Sequence, residues 1–179
     1  VSRIRIVGGE WRRRFIGFHA APGLRPTPDA VRETLFNWLG QDLSGLACLD
    51  LFAGSGVLGF EAASRGAAHV TLVERDARTF AALRDNAAVL GGDRLEPVRA
   101  DAVKFLARAV RRYDLLFLDP PYREGWIERV APRLDAVLAR DARIYAEAEC
   151  PLTRIGEWQA VRSGQAGQVY YQLLERGQT

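Results

Sequence analysis

The chain has 179 residues, 48% hydrophobic and 26% charged, with a formal net charge of +3. That size and composition describe one globular domain with a substantial core, and a cytoplasmic monomer is the expectation carried alongside. No apolar run approaches the ~20 residues of a membrane span, no secretory pattern opens the sequence, and two cysteines are too few for a disulfide framework or a zinc site.

Charge is unevenly placed. Residues 1–28 carry Arg3, Arg5, Arg12, Arg13, Arg14 and Arg25 against Glu10, or +5, and the remainder carries −2. Alternation at Arg3–Ile6 suggests a short strand with one basic face. Trp11 beside three arginines reads as a nucleic-acid strip combining phosphate charge with stacking, rather than as a merely solvated hairpin. Residues 1–26 thus read as a basic nucleic-acid-binding arm, an extension of the domain formed by 27–179.

Thr27 as N-cap and Pro28 at the first helical position open a helix, with Val31, Leu35, Trp38 and Leu39 on one face. Arg32 and Glu33 lie off that stripe and could look toward a ligand, although a solvated face is the plainer reading of either one. A strand over Leu46–Ala53 runs into Gly54-Ser55-Gly56-Val57-Leu58-Gly59, then a helix over Val57–Arg65. Val70–Val73 is the next strand, with Glu74 at its end, and Asp76 caps a helix over Ala77–Leu90. Leu95–Arg99 is a strand, and Asp101 caps a helix through Val110. Tyr113–Leu118, a buried apolar strand, ends at Asp119-Pro120-Pro121-Tyr122. Trp126–Ala139 reads as an amphipathic helix and Arg143–Glu149 as a strand. Strands at Trp158–Arg162 and Gln168–Leu174 flank a Ser163–Gly167 connection. Cys48 and Cys150 both fall in predicted strands and read as buried thiols. The alternation gives a doubly wound, mostly parallel α/β sheet of seven strands with an antiparallel terminal hairpin.

The prolines make Asp119-Pro120-Pro121-Tyr122 rigid at a strand's carboxyl end, where open α/β sheets bind ligands. Asp119 and the Pro120 carbonyl can accept hydrogens from an exocyclic amine while Tyr122 stacks on the ring. The glycine loop alone admits a dinucleotide or S-adenosylmethionine. A pyrophosphate would meet Asp50 as a second anion, whereas S-adenosylmethionine brings cationic ammonium and sulfonium groups. Glu74 can hold ribose hydroxyls and Asp101 the adenine amine. Hydride transfer has no use for an amine-gripping strand end, which favours S-adenosylmethionine.

Arg5–Arg12, Gly23–Asp29, Val31–Leu39, Leu49–Gly56 and Asp119–Tyr122 together resemble the RsmD-type enzymes, bacterial methyltransferases acting on N2 of a guanine in 16S ribosomal RNA of the small subunit. Arg13 stands where that family is expected to have glycine, and Phe15 where it usually has lysine. The resemblance implies a Rossmann-like methyltransferase fold, S-adenosylmethionine as cofactor, the assembling small subunit as partner, and no metal. It assigns Asp119, Pro120 and Tyr122 to catalysis. The cofactor site comprises Asp50, Phe52, Ala53, Gly54, Ser55, Gly56, Glu74, Arg75, Asp101, Ala102 and Asp119. A DNA amino-methyltransferase would be expected to carry a larger target-recognition segment, and a non-catalytic assembly factor would not need Asp50, Gly54, Glu74 and Asp119 intact.

Overall fold

Near the start of the chain, β1 (Ser2–Arg5) and β2 (Phe15–Phe18) pair as an antiparallel hairpin in the computed structural model, which describes residues 1–177. Helix α1 (Asp29–Leu39) follows, and then β3 (Ala47–Asp50), α2 (Val57–Ser64), β4 (His69–Glu74), α3 (Ala77–Leu90) and β5 (Leu95–Arg99) alternate. Helix α4 (Ala102–Arg108), β6 (Tyr113–Leu118), α5 (Trp126–Val130) and β7 (Leu138–Ala148) repeat the pattern. Three antiparallel strands close the chain: β8 (Arg154–Ile155), β9 (Trp158–Ala166) and β10 (Val169–Arg176).

Among the described residues the main sheet has eight strands in the order β5-β4-β3-β6-β7-β10-β9-β8, parallel from β5 through β7. The extra strand beyond the expected seven is β8, two residues paired with β9. The chain winds outward from β3 to β5, then returns to lay β6 on the other side of β3. The carboxyl ends of β3 and β6 therefore flank the switch point, where such sheets open a crevice. Alternation along each strand divides the core into two layers. Cys48, Leu115, Phe117 and Tyr145 pack with α1, α2 and α3, while Leu49, Leu116, Leu118 and Ile144 pack with α4 and α5.

Several boundaries differ from the sequence expectation. The Trp126–Ala139 helix stops at Val130 and gives way to a 3-10 turn over Ala131–Arg133. Pro132 is the reason: it has no N–H, and its ring crowds the carbonyl four residues back. Helix α4 ends at Arg108 rather than Val110, whose side chain is fully in solvent and gives a longer helix nothing to pack against. Pro28, not Thr27, is the N-cap of α1, and no side chain caps it. The Thr27 hydroxyl donates instead to Glu147 Oε1 at 2.9 Å. The C-terminal hairpin also turns more tightly than expected, at residues 167–168. Cys48 is buried as anticipated, but Cys150 lies past the end of β7 and is exposed.

The arm is fastened to the body from inside. Ile6, Trp11 and Ile16 belong to the same apolar layer as α1 and α2. Beneath them, Glu61 Oε1 accepts from the Val7 N–H at 2.6 Å and from Arg32 Nη1 at 2.7 Å, and Oε2 accepts from Arg65. Arg32 also donates to the Arg5 carbonyl at 2.7 Å. So Arg32, expected on a solvated face, is a buried tie between helix and arm, neutralised by Glu61 and Asp29. Gly9 completes the junction at φ 79°, where a Cβ would stand 2.0 Å from the Ser64 carbonyl oxygen.

Candidate active site

At the end of β3 the chain turns through the glycine loop into α2. Gly56 takes φ 86°, and a Cβ there would lie 2.4 Å from Leu83, so only glycine lets the loop seat against α3. Glu74, at the end of the neighbouring β4, accepts from the Gly54 N–H at 3.1 Å and from the Asp76 N–H at 2.8 Å. Each of its oxygens keeps acceptor capacity for a ligand hydroxyl. Asp50 is 2% exposed and accepts from the Gly59 N–H at 3.1 Å. Burial pushes its carboxyl up to about 7, against the Gly59 bond and with the nearby charges of Glu74 and Glu147.

Such a cluster of acidic groups suits a cationic ligand and would repel a pyrophosphate. Asp101 caps α4 through the Lys104 N–H at 3.1 Å, with Ala102 buried behind it. Phe52 meets Trp126 edge-on at 5.3 Å, and the Arg75 guanidinium lies 5.3 Å from the centre of the Trp126 ring. Beside these two residues the buried Trp126 Nε1–H has no partner among the described residues. The acidic lining, the ribose-competent Glu74 and this free donor fit S-adenosylmethionine. Ala53, Gly54, Ser55 and Gly56 form the wall that would hold it.

Asp119 continues the β6 alternation onto the face of Phe117. In the parallel register Phe117 lies opposite Tyr145 and Leu118 opposite Ala146, which puts Asp119 opposite Glu147. Burial raises the Asp119 carboxyl well above the usual range, reinforced by the charge of Glu147, a hydrogen bond with it, and the charge of Asp50. Glu147 Oε1 accepts from Thr27 at 2.9 Å and from the Tyr145 hydroxyl at 2.6 Å. Pro120 is buried and Tyr122 is 39% exposed, its ring open to a partner. Partial burial and the negative charges of Asp119, Glu147 and Glu149 push the Tyr122 hydroxyl up to about 12, against Arg25. It is therefore neutral near pH 7. Glu147, Tyr145 and Thr27 are absent from the sequence-derived site. The visible signal was an acidic residue near the end of a predicted apolar strand, but only the β6–β7 pairing sets it opposite Asp119.

The arm residues divide. Arg25 reaches the surroundings of Tyr122. Arg12, Arg13 and Arg14 sit at the hairpin tip, which is tied to the far end of α2 through Trp11 N–H to Ser64 Oγ at 2.9 Å. At ~1.5 Å per residue, α2 places that tip roughly 12 Å from the glycine loop. Arg12 and Arg13 line a groove of about 240 Å³ with Arg5 and Glu33, and Arg12 also lines an adjoining one of about 250 Å³ with Asn37 and Arg65. Arg3 lies 4.3 Å over the exposed Phe15 ring. Trp11, expected to stack on bases, is 4% exposed beneath Arg94, because the core needs its ring. Arg13 adopts φ 73°, the left-handed region, which explains why glycine is expected there.

A doubly wound sheet closed by an antiparallel hairpin, with an acidic glycine-loop crevice and an Asp-Pro-Pro-Tyr strand end across the switch point, defines an S-adenosylmethionine-dependent methyltransferase. The family model described as conserved hypothetical protein 95 matches residues 4–175, and the chain belongs to that family. It is 44% identical over 180 residues to ribosomal RNA small subunit methyltransferase D of Escherichia coli K12, covering 98% of this chain and 91% of that one. The Haemophilus influenzae protein of the same name is 37% identical, over 97% and 94% of the two chains. A solved structure described as putative methyltransferase yhhF from Escherichia coli superposes with a TM-score of 0.88 at 43% identity, covering 99% of this chain and all of that one.

Proposed function

We propose that this protein transfers a methyl group from S-adenosylmethionine to the exocyclic N2 amine of one guanine in 16S ribosomal RNA. The observation that carries this reading is the pairing of an amine-accepting strand end, Asp119 with the Pro120 carbonyl, with the cofactor crevice across the switch point. The relatives named as small-subunit ribosomal RNA methyltransferases supply the RNA class.

When bound, S-adenosylmethionine supplies an activated methyl on its sulfonium. Asp50 favours that cationic ligand, and Glu74 anchors it through hydroxyls. The guanine amine is a poor nucleophile because its lone pair is delocalised into the ring. Asp119 and the Pro120 carbonyl accept its two N–H groups and turn the lone pair toward the methyl. Positioning of this kind can supply roughly 7–11 kcal/mol of the barrier reduction. Extruding the base from its stack costs a few kcal/mol, and stacking on Tyr122 returns ~1–3 kcal/mol. The charge of Arg25 is felt at Tyr122 and Arg12–Arg14 sit at the hairpin tip, which supports an RNA backbone running along the arm from the crevice to that tip.

The test is methylation of purified small-subunit RNA and of partly assembled subunits, followed by nuclease digestion and mass mapping. One N2-methylguanosine at a single position is expected. Methyl on a ring nitrogen or a ribose oxygen would contradict the reading.

A further inference from the structure

We propose that Glu147 is the proton-holding partner of Asp119, and that the two carboxyls act as one acceptor for the proton the methylated amine must lose. This deepens the function proposed above and rests on it for the identity of the amine.

The geometry comes from the strand register. Asp119 and Glu147 follow the β6–β7 register to matching positions just past the paired residues of adjacent parallel strands, so the two carboxyls lie side by side and the charge of each bears on the other. Two carboxyls in such contact hold a proton between them, because two adjacent anions repel. Glu147 is 5% exposed, and its Oε1 is clamped by two hydroxyl donors, Thr27 before α1 and Tyr145 on β7. Burial and the neighbouring charges of Glu147 and Asp50 raise the Asp119 carboxyl, so the shared proton sits on Asp119 while the crevice is free of ligand.

The surroundings bias the pair the same way. Asp50 and Glu74 contribute negative charge from the ends of β3 and β4. Tyr145, with Tyr171 of β10 beside it, is neutral, its hydroxyl raised by burial and by Glu147. Glu149 adds a further negative charge at the Tyr122 end, where Arg25 opposes it.

The reaction then balances. A cationic ligand in the crevice lets the pair release its proton, and Asp119 becomes the carboxylate that grips the amine. Attack by the nitrogen lone pair forms the N–C bond and breaks the C–S bond, whose electrons stay on sulfur. The N–H bond then breaks, its electrons return to nitrogen, and its proton passes to Asp119 and is shared with Glu147. The site loses the sulfonium charge and regains a proton, so its net charge is restored with no water entering. Glu147 acts through Asp119 as a positioning residue.

Infrared difference spectroscopy and calorimetry test this. In ligand-free wild-type protein at pH 7, a protonated carboxyl band should be present that survives Asp50→Asn, disappears in Asp119→Asn and titrates at lower pH in Glu147→Gln. Calorimetry of S-adenosylmethionine binding in buffers of different ionisation enthalpy should show about one proton fewer released by Glu147→Gln than by wild type. Tyr145→Phe, which removes one donor to Glu147 without touching the pair, should move the band's titration to higher pH. Absence of that band from the wild-type protein, or equal proton release by Glu147→Gln, would overturn the proposal. Neither readout involves RNA, so the pair can fail while N2 methylation holds, and the reverse.

Discussion

Replacing Glu61 by glutamine isolates what fastens the arm to the methyltransferase body. Glu61 and Arg32 are both fully buried, and Glu61 is the carboxylate shared by Arg32, Arg65 and the Val7 N–H. Glutamine keeps the shape and one acceptor, but it leaves Arg32 with half-exposed Asp29 and Arg65 with the neutral Gln41 side-chain oxygen, and turns an amide donor toward one of the guanidiniums. Breaking one partner out of a buried ion cluster costs about 3–5 kcal/mol. At ~2–4 °C per kcal/mol for a domain of this size, the melting temperature should fall by roughly 6–20 °C. Urea denaturation measures the free energy, and trypsin cleavage at Arg12–Arg14 reports whether the hairpin has come loose. Glu10→Gln is the control, since its pair with Arg94 at 3.0 Å is exposed and should be worth at most ~1 kcal/mol. A loss below ~1 kcal/mol for Glu61→Gln, with unchanged cleavage, would refute the claim that this cluster ties the arm down.

Asp50→Asn should stabilise the ligand-free protein while abolishing cofactor affinity. Asp50 is raised from 3.8 to about 7 in the fold, so wild type loses stability as pH rises through that window. At ~1.36 kcal/mol per pH unit the gain in the variant should reach ~4 kcal/mol at pH 8 and vanish below pH 4, as urea titrations at the two pH values would show. Arg13→Gly relieves a left-handed arginine at φ 73° and should raise stability by ~0.5–1 kcal/mol, net of the added freedom of the unfolded chain; a lowered urea midpoint would contradict this. Replacing Arg12, Arg13 and Arg14 together by alanine should make the slope of log RNA affinity against log salt shallower by up to ~2–3, with cofactor affinity unchanged.

Periodicity and turn residues made the alternating sheet legible in the sequence, because Leu115–Leu118 and Val70–Val73 are buried on both faces and carry no competing signal. They misplaced elements whose fate is tertiary. Pro132 broke a helix whose apolar spacing ran on past it, and Val110 lay outside the core. Arg32 looked solvated because its position on the helical wheel says nothing about a glutamate from another helix. Trp11 looked like a base-stacking ring because the arm's composition gives no hint that its apolar side fills the core. The glycine turn after β3 and the end of β6 at the Asp119-Pro120-Pro121 run were legible, since Gly56 takes a positive φ and the prolines cannot continue a strand. The placement of Glu147 beside Asp119 was hidden because it depends on which strand lies beside β6, a fact set by the winding order and not by any local pattern.

The strand-end grip on the amine is tested most directly by single-turnover methylation of RNA with Asp119→Asn, Tyr122→Phe and Tyr122→Ala, each with cofactor and RNA affinities measured alongside. Asp119→Asn keeps an acceptor oxygen but loses the charge, and it should slow methyl transfer far more than it weakens either ligand. Tyr122→Phe keeps the stacking face and removes a hydroxyl that is neutral near pH 7, so it should retain most of the rate, whereas Tyr122→Ala should lose it. A fully active Asp119→Asn, or a Tyr122→Phe as inactive as Tyr122→Ala, would contradict the account.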